Sequence, residues 1–389
     1  MNKKLSLAVA GAVLAFGASA ANAGIVIPAG DWTVDLGGNV NAFYSHTKVD
    51  GGGAASNTIG SGLLPSALGI GAKTRQNDLD IAFQFTFFTG SSTGTDKALA
   101  SNTLNIRQAY LSFGDASWGS IKAGRDLGIF GSDAILSDMT LLGVGGNLGP
   151  GGSSTLGRIG QGYIYADWFG QISYTSPNWN GFSFTGGVFE PVNNNSATST
   201  PNGKSSDMMY QGKVTYEWAG DYAGKVWLGG TTQSNKNDLT GQSFDSEGWD
   251  LGGKVSVAGI GLVGYYYDGT GLASIDRTTV GASAYSRNVL MGGLNGTVGT
   301  RVDSDDKGGY AQATYVLPGV GTKLGASWGE SKSTYAGNEA QTKTWILGAY
   351  HPLTKSLNLV AEYANAKNEY TNQANVEVKS TTLGAILFF

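Results

Sequence analysis

Cysteine is absent from the chain, so neither a disulfide framework nor a thiolate metal site is available to it. Histidine is nearly absent too. A nucleophile or an activated water needs a base beside it, most often an imidazole. His46 closes the first alternating segment and His351 precedes Pro352 at a turn, and neither has an evident partner. No Gly-x-Ser-x-Gly elbow, phosphate-binding loop or zinc spacing occurs, so nothing here points to an enzyme, a cofactor or a metal. Charge is sparse, at 14% of residues, and slightly acidic, which excludes the basic footprint of a nucleic-acid binder. Long apolar runs are missing as well. Outside the first residues no stretch approaches 18 apolar residues, so no transmembrane helix is expected.

The first residues read as an export signal. Lys3 and Lys4 precede an apolar run from Leu5 to Phe16, and small residues end in Ala21-Asn22-Ala23 before Gly24. That run is too short to span a bilayer, and the A-x-A ending marks a cleavage site. Residues 1–23 are therefore expected to be removed, leaving one domain over 24–389. Losing Lys3 and Lys4 takes the net charge from −4 to −6.

Beyond Gly24 the chain alternates in twos. Trp32, Val34, Leu36, Val40 and Tyr44 share one parity, while Asp35, Asn39, Asn41 and Ser45 share the other. The same pattern recurs at Leu79–Phe87, Tyr210–Trp218, Trp249–Val255 and Leu357–Tyr363, with aromatics near the segment ends. Period two predicts strands. Exported strands with one apolar face and aromatic flanks suit a lipid band between two interfaces, where only closure satisfies every backbone group. Short connections fall at 75–78, 115–118, 177–181, 219–222, 258–259, 319–320 and 352–355. Longer Gly-, Ser- and Asn-rich stretches separate them, including 47–62, 193–206 and 269–307. Seven turns and eight loops give an all-β transmembrane antiparallel barrel of about sixteen strands. The terminal "STTLGAILFF" is its closing strand.

The stretches "LNIRQAYLSFG" and "WGSIKAGRDLG" (104–128), "QISYTSPNWNGFSF" (171–184), "GYAQATYVL" (309–317) and "TKLGASWGES" (322–331), with the terminal Phe389, resemble the general porins of Gram-negative outer membranes. The resemblance covers essentially the whole mature chain. It implies a sixteen-stranded homotrimer in the outer membrane, inserted among its lipids, forming a water-filled channel for passive diffusion of ions and small hydrophilic solutes. A non-conducting adhesin or structural barrel fits the long loops equally, and conductance separates the two. A substrate-preferring porin would carry a strip of inward aromatics, whereas Phe43, Phe189 and Tyr310 are scattered along the sequence.

By the same resemblance, the third external loop folds inward and narrows the channel. Here it is 126–165, containing "SDAILSDMTLLG", in which Ser132 is expected to cap a short helix running through Met139. Ile135, Leu136 and Met139 would pack on the wall, and Asp133 or Asp138 would face water. Arg107 takes the place of a basic wall residue, with inward parity shared by Asn105 and Ala109. Lys122, Arg158, Lys73, Lys213 and Lys254 would partly replace the missing ladder, since Ala67 and Asp167 stand where bases are common. Arg125 has the outward parity of Ile121 and Ala123, and the family places an acid from a neighbouring subunit beside it, for which Asp96 is available. Phe389 resembles the signal read by the barrel-assembly machinery. The net charge and the loop acids Asp303, Asp305 and Asp306 predict weak cation preference.

Overall fold

The computed structural model describes residues 24–50, 55–90, 104–146, 155–191, 207–236, 243–272, 274–276, 287–288, 299–301, 303–335, 337–371 and 374–389. Residues 1–23 and Asp96 lie outside this set. One antiparallel sheet closes on itself. Its strands in the first half are β1 (Ile25–Ala29), β2 (Trp32–Asp50), β3 (Ser56–Gly60), β4 (Ser66–Gln76), β5 (Leu79–Thr89), β6 (Asn105–Asp115), β7 (Gly119–Leu127), β8 (Trp168–Thr175) and β9 (Phe182–Phe189). Next come β10 (Met209–Trp218), β11 (Ala223–Lys236), β12 (Ser243–Val257) and β13 (Ile260–Thr270). Three short strands, β14 (Ser274–Asp276), β15 (Arg287–Asn288) and β16 (Gly299–Arg301), form a separate small sheet. The wall resumes with β17 (Asp305–Val316), β18 (Lys323–Tyr335), β19 (Asn338–Pro352), β20 (Leu357–Tyr370) and β21 (Val376–Phe388).

Eighteen strands make sixteen lanes, because two lanes are each built from two pieces. β3 and β4 both pair with the same edge of β2, at Phe43–Thr47 and at Thr33–Asn39. On the other edge β21 pairs with Asn39–Asp50 and β1 continues along Trp32–Leu36. Closure is therefore last strand on first. The Phe389 N–H donates to Gly38 O at 3.1 Å, and the Gly38 N–H donates to Phe389 O at 2.9 Å. Phe389 is thus bonded into the closing seam.

The parity read from sequence is the parity of the wall. Val40, Tyr44, Leu68, Ile70, Val214, Leu228, Leu251, Leu262, Leu347 and Leu383 are exposed, while Asn39, Asn41, Thr86, Gln211, Ser331 and Thr344 on the alternate parity are buried. Tyr210 and Tyr216, near the two ends of β10, are both exposed, as flanking aromatic girdles require. All seven short turns are present. At one of them Asn77 and Asp78 both have positive φ, 47° and 63°, the backbone that a two-residue hairpin needs to match strand twist. The loop boundaries shift outward. Thr47–Asp50 and Ser56–Gly60 are strand rather than loop, and β17 begins at Asp305. Tyr335 and Asn338 pair directly, so one external connection is as short as a turn. Among the described residues no helix is long and apolar enough to cross a membrane.

Candidate functional site: the barrel interior

Between β7 and β8 the chain leaves the wall and meets inward side chains all round the sheet. Some of its N–H groups bond within the segment, as Gly157 does to Val144 O and Gly160 to Tyr163 O, and other buried ones take acceptors from the wall. Gln211 Oε1 of β10 accepts from the N–H groups of Ile129 (2.7 Å) and Phe130 (3.1 Å). Asp250 of β12 accepts from Gly131 at 2.9 Å. Gln312 of β17 accepts from Met139 at 2.7 Å and returns a bond to Ser137 O. Glu362 of β20 accepts from Val144 and Gly145, both at 2.8 Å, and from the Tyr350 hydroxyl at 2.7 Å. Ser331 Oγ of β18 accepts from Gly162 at 2.9 Å.

Apolar packing holds the same segment. Phe130, Ile135, Ile159, Tyr163 and Ile164 pack with Phe189, Met209, Trp227, Tyr265 and Tyr310. Met139 and Val144 join Phe43, Ile346, Tyr350, Val360 and Phe388 on the opposite side. Tyr163, Tyr310 and Tyr265 form a run of ring contacts at 5.7 and 5.9 Å. Phe189 and Tyr310, scattered in sequence, thus share one cluster, but the loop covers them.

The helix of this segment, α1 (Ser132–Ser137), is shorter than expected and differently capped. Gly131 holds the cap position with φ of 75°, and Ser132 Oγ donates to Ile129 O instead. A 3-10 turn over Met139–Leu142 follows, capped by Asp138 through the Thr140 N–H. The reason is Asp138 itself: its carboxylate binds Thr140 N–H (2.9 Å), Thr140 hydroxyl (2.8 Å) and Tyr163 hydroxyl (2.8 Å), which stops the helix at Ser137, two residues short of Met139. Asp138 is buried, not water-facing.

Asp133 also turns away from Arg107. Its two oxygens meet Lys213 of β10 at 2.5 Å and Lys225 of β11 at 2.6 Å. Burial alone would raise the Asp133 carboxyl, but the two ammonium groups overcome it and hold the carboxyl well below the usual carboxylate range. Lys225 also reaches Glu217 at 3.0 Å and stands opposite Lys254 of β12 across the ladder. Lys122 pairs with Asp126 four residues on and lies 4.8 Å from the Tyr110 ring. Arg158 is fully enclosed. Its Nη1 donates to Gln161 O and Thr344 O at 3.3 Å, while Nε and Nη2 have no partner.

Arg107 faces inward, but for a different reason than simple alternation. The β5–β6 register shifts between Thr86 and Phe87: Thr86 pairs with Gln108 and Phe87 with Ile106, so Arg107 is the extra residue of a bulge. Below it the parity changes, and Gln108 and Tyr110 point inward while Ala109 and Leu111 point out. Arg125 is exposed on the outer face of β7. Of the external acids, Asp303 and Asp305 are exposed, whereas Asp306 is buried and accepts bonds from Leu272, Ser304 and Ser333.

Sequence reasoning passed over Lys225, Asp126, Asp250 and Glu362. Lys225 and Asp126 were marked by parity with Trp227 and with Lys122, but Asp250 and Glu362 acquire their roles only from a segment distant in sequence. His46 and His351 bond Asn57 and Thr322, near opposite ends of the barrel. Among the described residues no group of three or more His, Asp or Glu could hold a metal ion.

Comparison with known proteins agrees with this architecture. Residues 8–371 match the family described as Gram-negative porin. No curated protein of matching sequence was found. The anion-selective porin from Comamonas acidovorans is 17% identical, with 92% of this chain and 100% of that one covered and a TM-score of 0.62. Salmonella typhi OmpF, solved with daunomycin, is 18% identical over 94% and 100% of the two chains, with a TM-score of 0.68. The outer membrane channel DcaP of Acinetobacter baumannii is 17% identical over 94% and 100%, with a TM-score of 0.67. These structures share the fold, and the sequence match supplies the family: the chain belongs to the Gram-negative porins, channel-forming barrels of the bacterial outer membrane.

Proposed function

We propose that this porin passes small hydrophilic solutes and ions past the 128–166 segment and that it prefers anions. The observation that carries the preference is the unequal exposure of the charges around the inward segment, where the half-exposed Glu217 is itself paired with Lys225. Asp126, Asp133, Asp138, Asp250 and Glu362 are all buried. Their oxygens are bound to lysines, hydroxyls or backbone N–H groups. Lys122, Lys213 and Lys225 keep 27%, 18% and 15% of their side chains exposed, and Lys254 is exposed. A narrow aqueous path with low-dielectric walls focuses the field of such charges, so a permeating ion meets lysines first. This reverses the weak cation preference drawn from net charge. In a planar bilayer under a KCl gradient, the reversal potential should take the sign of chloride preference, and Lys254→Glu should move it toward potassium. A potassium-signed potential in the unaltered protein would overturn the reading.

In this proposal Arg107, Lys122, Asp133, Asp138 and Arg158 shape the constriction in two ways. Asp133, Asp138 and Arg158 hold the segment, and Arg107 and Lys122 meet the solute. The chain is exported through residues 1–23 and inserted by the barrel-assembly machinery, which reads Phe389. It assembles as a homotrimer, with Arg125 near an acid of a neighbouring subunit, for which Asp96 is the candidate.

A further inference from the structure

A cavity of about 60 Å³ lies between the inward segment and the wall and opens toward the interior. Leu63, Leu64, Leu136, Leu141, Leu156 and Ile159 supply aliphatic walls. A cavity lined in this way excludes strongly hydrated solutes unless a polar group receives them, and here one does. Arg107 lines it and is only 8% exposed. Its guanidinium lies 4.7 Å over the Phe88 ring and 6.0 Å from that of Trp168, both also lining residues. Its Nε donates to Asn105 Oδ1 at 3.2 Å. Among the described residues no carboxylate comes within the 4.0 Å of an ion pair with Arg107. The nearby acid, Asp167, feels both Arg107 and Arg125 but has an oxygen bound by the Trp168 N–H at 2.7 Å.

A second lining group points the same way. Thr155 Oγ1 is buried without a hydrogen-bond partner. The Tyr165 hydroxyl, which accepts from Trp168 Nε1 at 2.7 Å, keeps its own proton to donate. The cavity therefore combines one guanidinium fork, two hydroxyl donors, and an otherwise apolar lining. A planar carboxylate satisfies a guanidinium with two parallel bonds, and a cation or an uncharged polyol does not. The apolar lining asks that the rest of the ligand be hydrocarbon, since a second charge there would be desolvated without a partner.

We propose that this cavity binds a monocarboxylate with a compact apolar body, the carboxylate on Arg107 and Thr155 and the body among the leucines. The inference rests on the anion-preferring channel reading and gives that channel a substrate class. Because Arg107 and Phe88 sit at the external ends of β6 and β5, the site meets such an acid before the barrel's midpoint.

The test uses purified folded protein, with Trp168 as the reporter and Trp168→Phe identifying its share of the fluorescence. Benzoate is the probe, against acetate (no apolar body), benzyl alcohol (no charge) and benzylammonium (opposite charge). Benzoate should quench Trp168 at concentrations at least tenfold lower than any of the three. Arg107→Gln should weaken benzoate at least tenfold while leaving benzyl alcohol unchanged, and Thr155→Val, which preserves shape, should weaken benzoate severalfold. Equal affinities for benzoate and acetate would overturn the proposal, as would unaltered benzoate binding in both variants. Fluorescence does not depend on conduction. A protein that conducts KCl with chloride preference but fails to distinguish the probes refutes this site alone, and one that prefers potassium refutes the channel reading first.

Discussion

Glu362 offers the sharpest test of how the inward segment is held. Its carboxylate is buried on β20 and accepts three hydrogen bonds, from Val144 N–H and Gly145 N–H at 2.8 Å and from Tyr350 hydroxyl at 2.7 Å. A hydrogen bond to a charged group contributes about 1.5–3 kcal/mol, and a neutral one about 0.5–1.5 kcal/mol. Glu362→Gln keeps the shape and one acceptor oxygen, and its new NH2 finds the Tyr350 oxygen. The two backbone bonds then lose about 1 kcal/mol each, about 2 kcal/mol together, which is roughly a 30-fold change in a local opening equilibrium. Glu362→Ala leaves both N–H groups buried without an acceptor, costing about 2–6 kcal/mol and releasing this end of the segment. Hydrogen exchange reads the effect directly. Amides of Val144 and Gly145 should lose roughly 30-fold of their protection in Glu362→Gln and nearly all of it in Glu362→Ala, while the amides of β10–β12 stay protected. Unchanged protection at 144 and 145 in both variants would refute the anchoring role.

Asp133 gives a pH dependence whose sign follows from its lysines. Its folded value lies below its unfolded one, so the tether of α1 is complete above the ordinary carboxylate range and is lost only as pH falls through the lowered value. Exchange protection across α1 should therefore be flat from pH 7 to roughly 5, and the Lys213→Met, Lys225→Met double variant should lose it at higher pH, because burial then acts alone. Deleting Phe389 removes two bonds to Gly38 and the proposed assembly signal; less folded barrel should reach the outer membrane, and equal insertion in cells would sink the signal reading. Arg125→Glu should lower the temperature at which oligomers dissociate on a gel, with Asp96→Lys restoring it; no rescue would leave Arg125 an interface residue of one subunit only.

The wall was legible because its signal is redundant. Each strand repeats the same test, apolar out and polar in, so an error in one does not move the others. Val214, Leu228 and Leu251 stand on three neighbouring strands and all point out, as their parity requires. Where a single position breaks the rhythm, sequence has no second reading. Arg107 shows this: alternation put it in phase with Ala109, but the bulge puts it in phase with Asn105 above and hands the inward face to Gln108 below. The inward direction was right although the phase was wrong. A bulge is a property of two strands, visible only when Thr86 and Phe87 are set against their partners. The same holds for strand length. Sequence ended β2 at His46, but residues through Asp50 continue the ladder opposite Glu377, Val378 and Lys379.

The inward acids explain why net charge misleads about the pore. An irregular segment inside a barrel carries backbone N–H groups that no ladder can satisfy, and leaving one buried and unbound costs about 1–3 kcal/mol. The wall must therefore present acceptors at matching heights, and it does so with Gln211, Asp250, Gln312, Ser331 and Glu362 in turn around the sheet. Two of those five are carboxylates, counted as charges in the composition but occupied by the loop in the fold. Asp133 and Asp126 are taken up by lysines in the same way. In the proposed channel, what these acids leave exposed beside the segment is Lys254 and portions of Lys122, Lys213 and Lys225, with the half-exposed Glu217 paired to Lys225. In the proposed channel, selectivity follows which charges the interior leaves exposed rather than how many of each sign it contains.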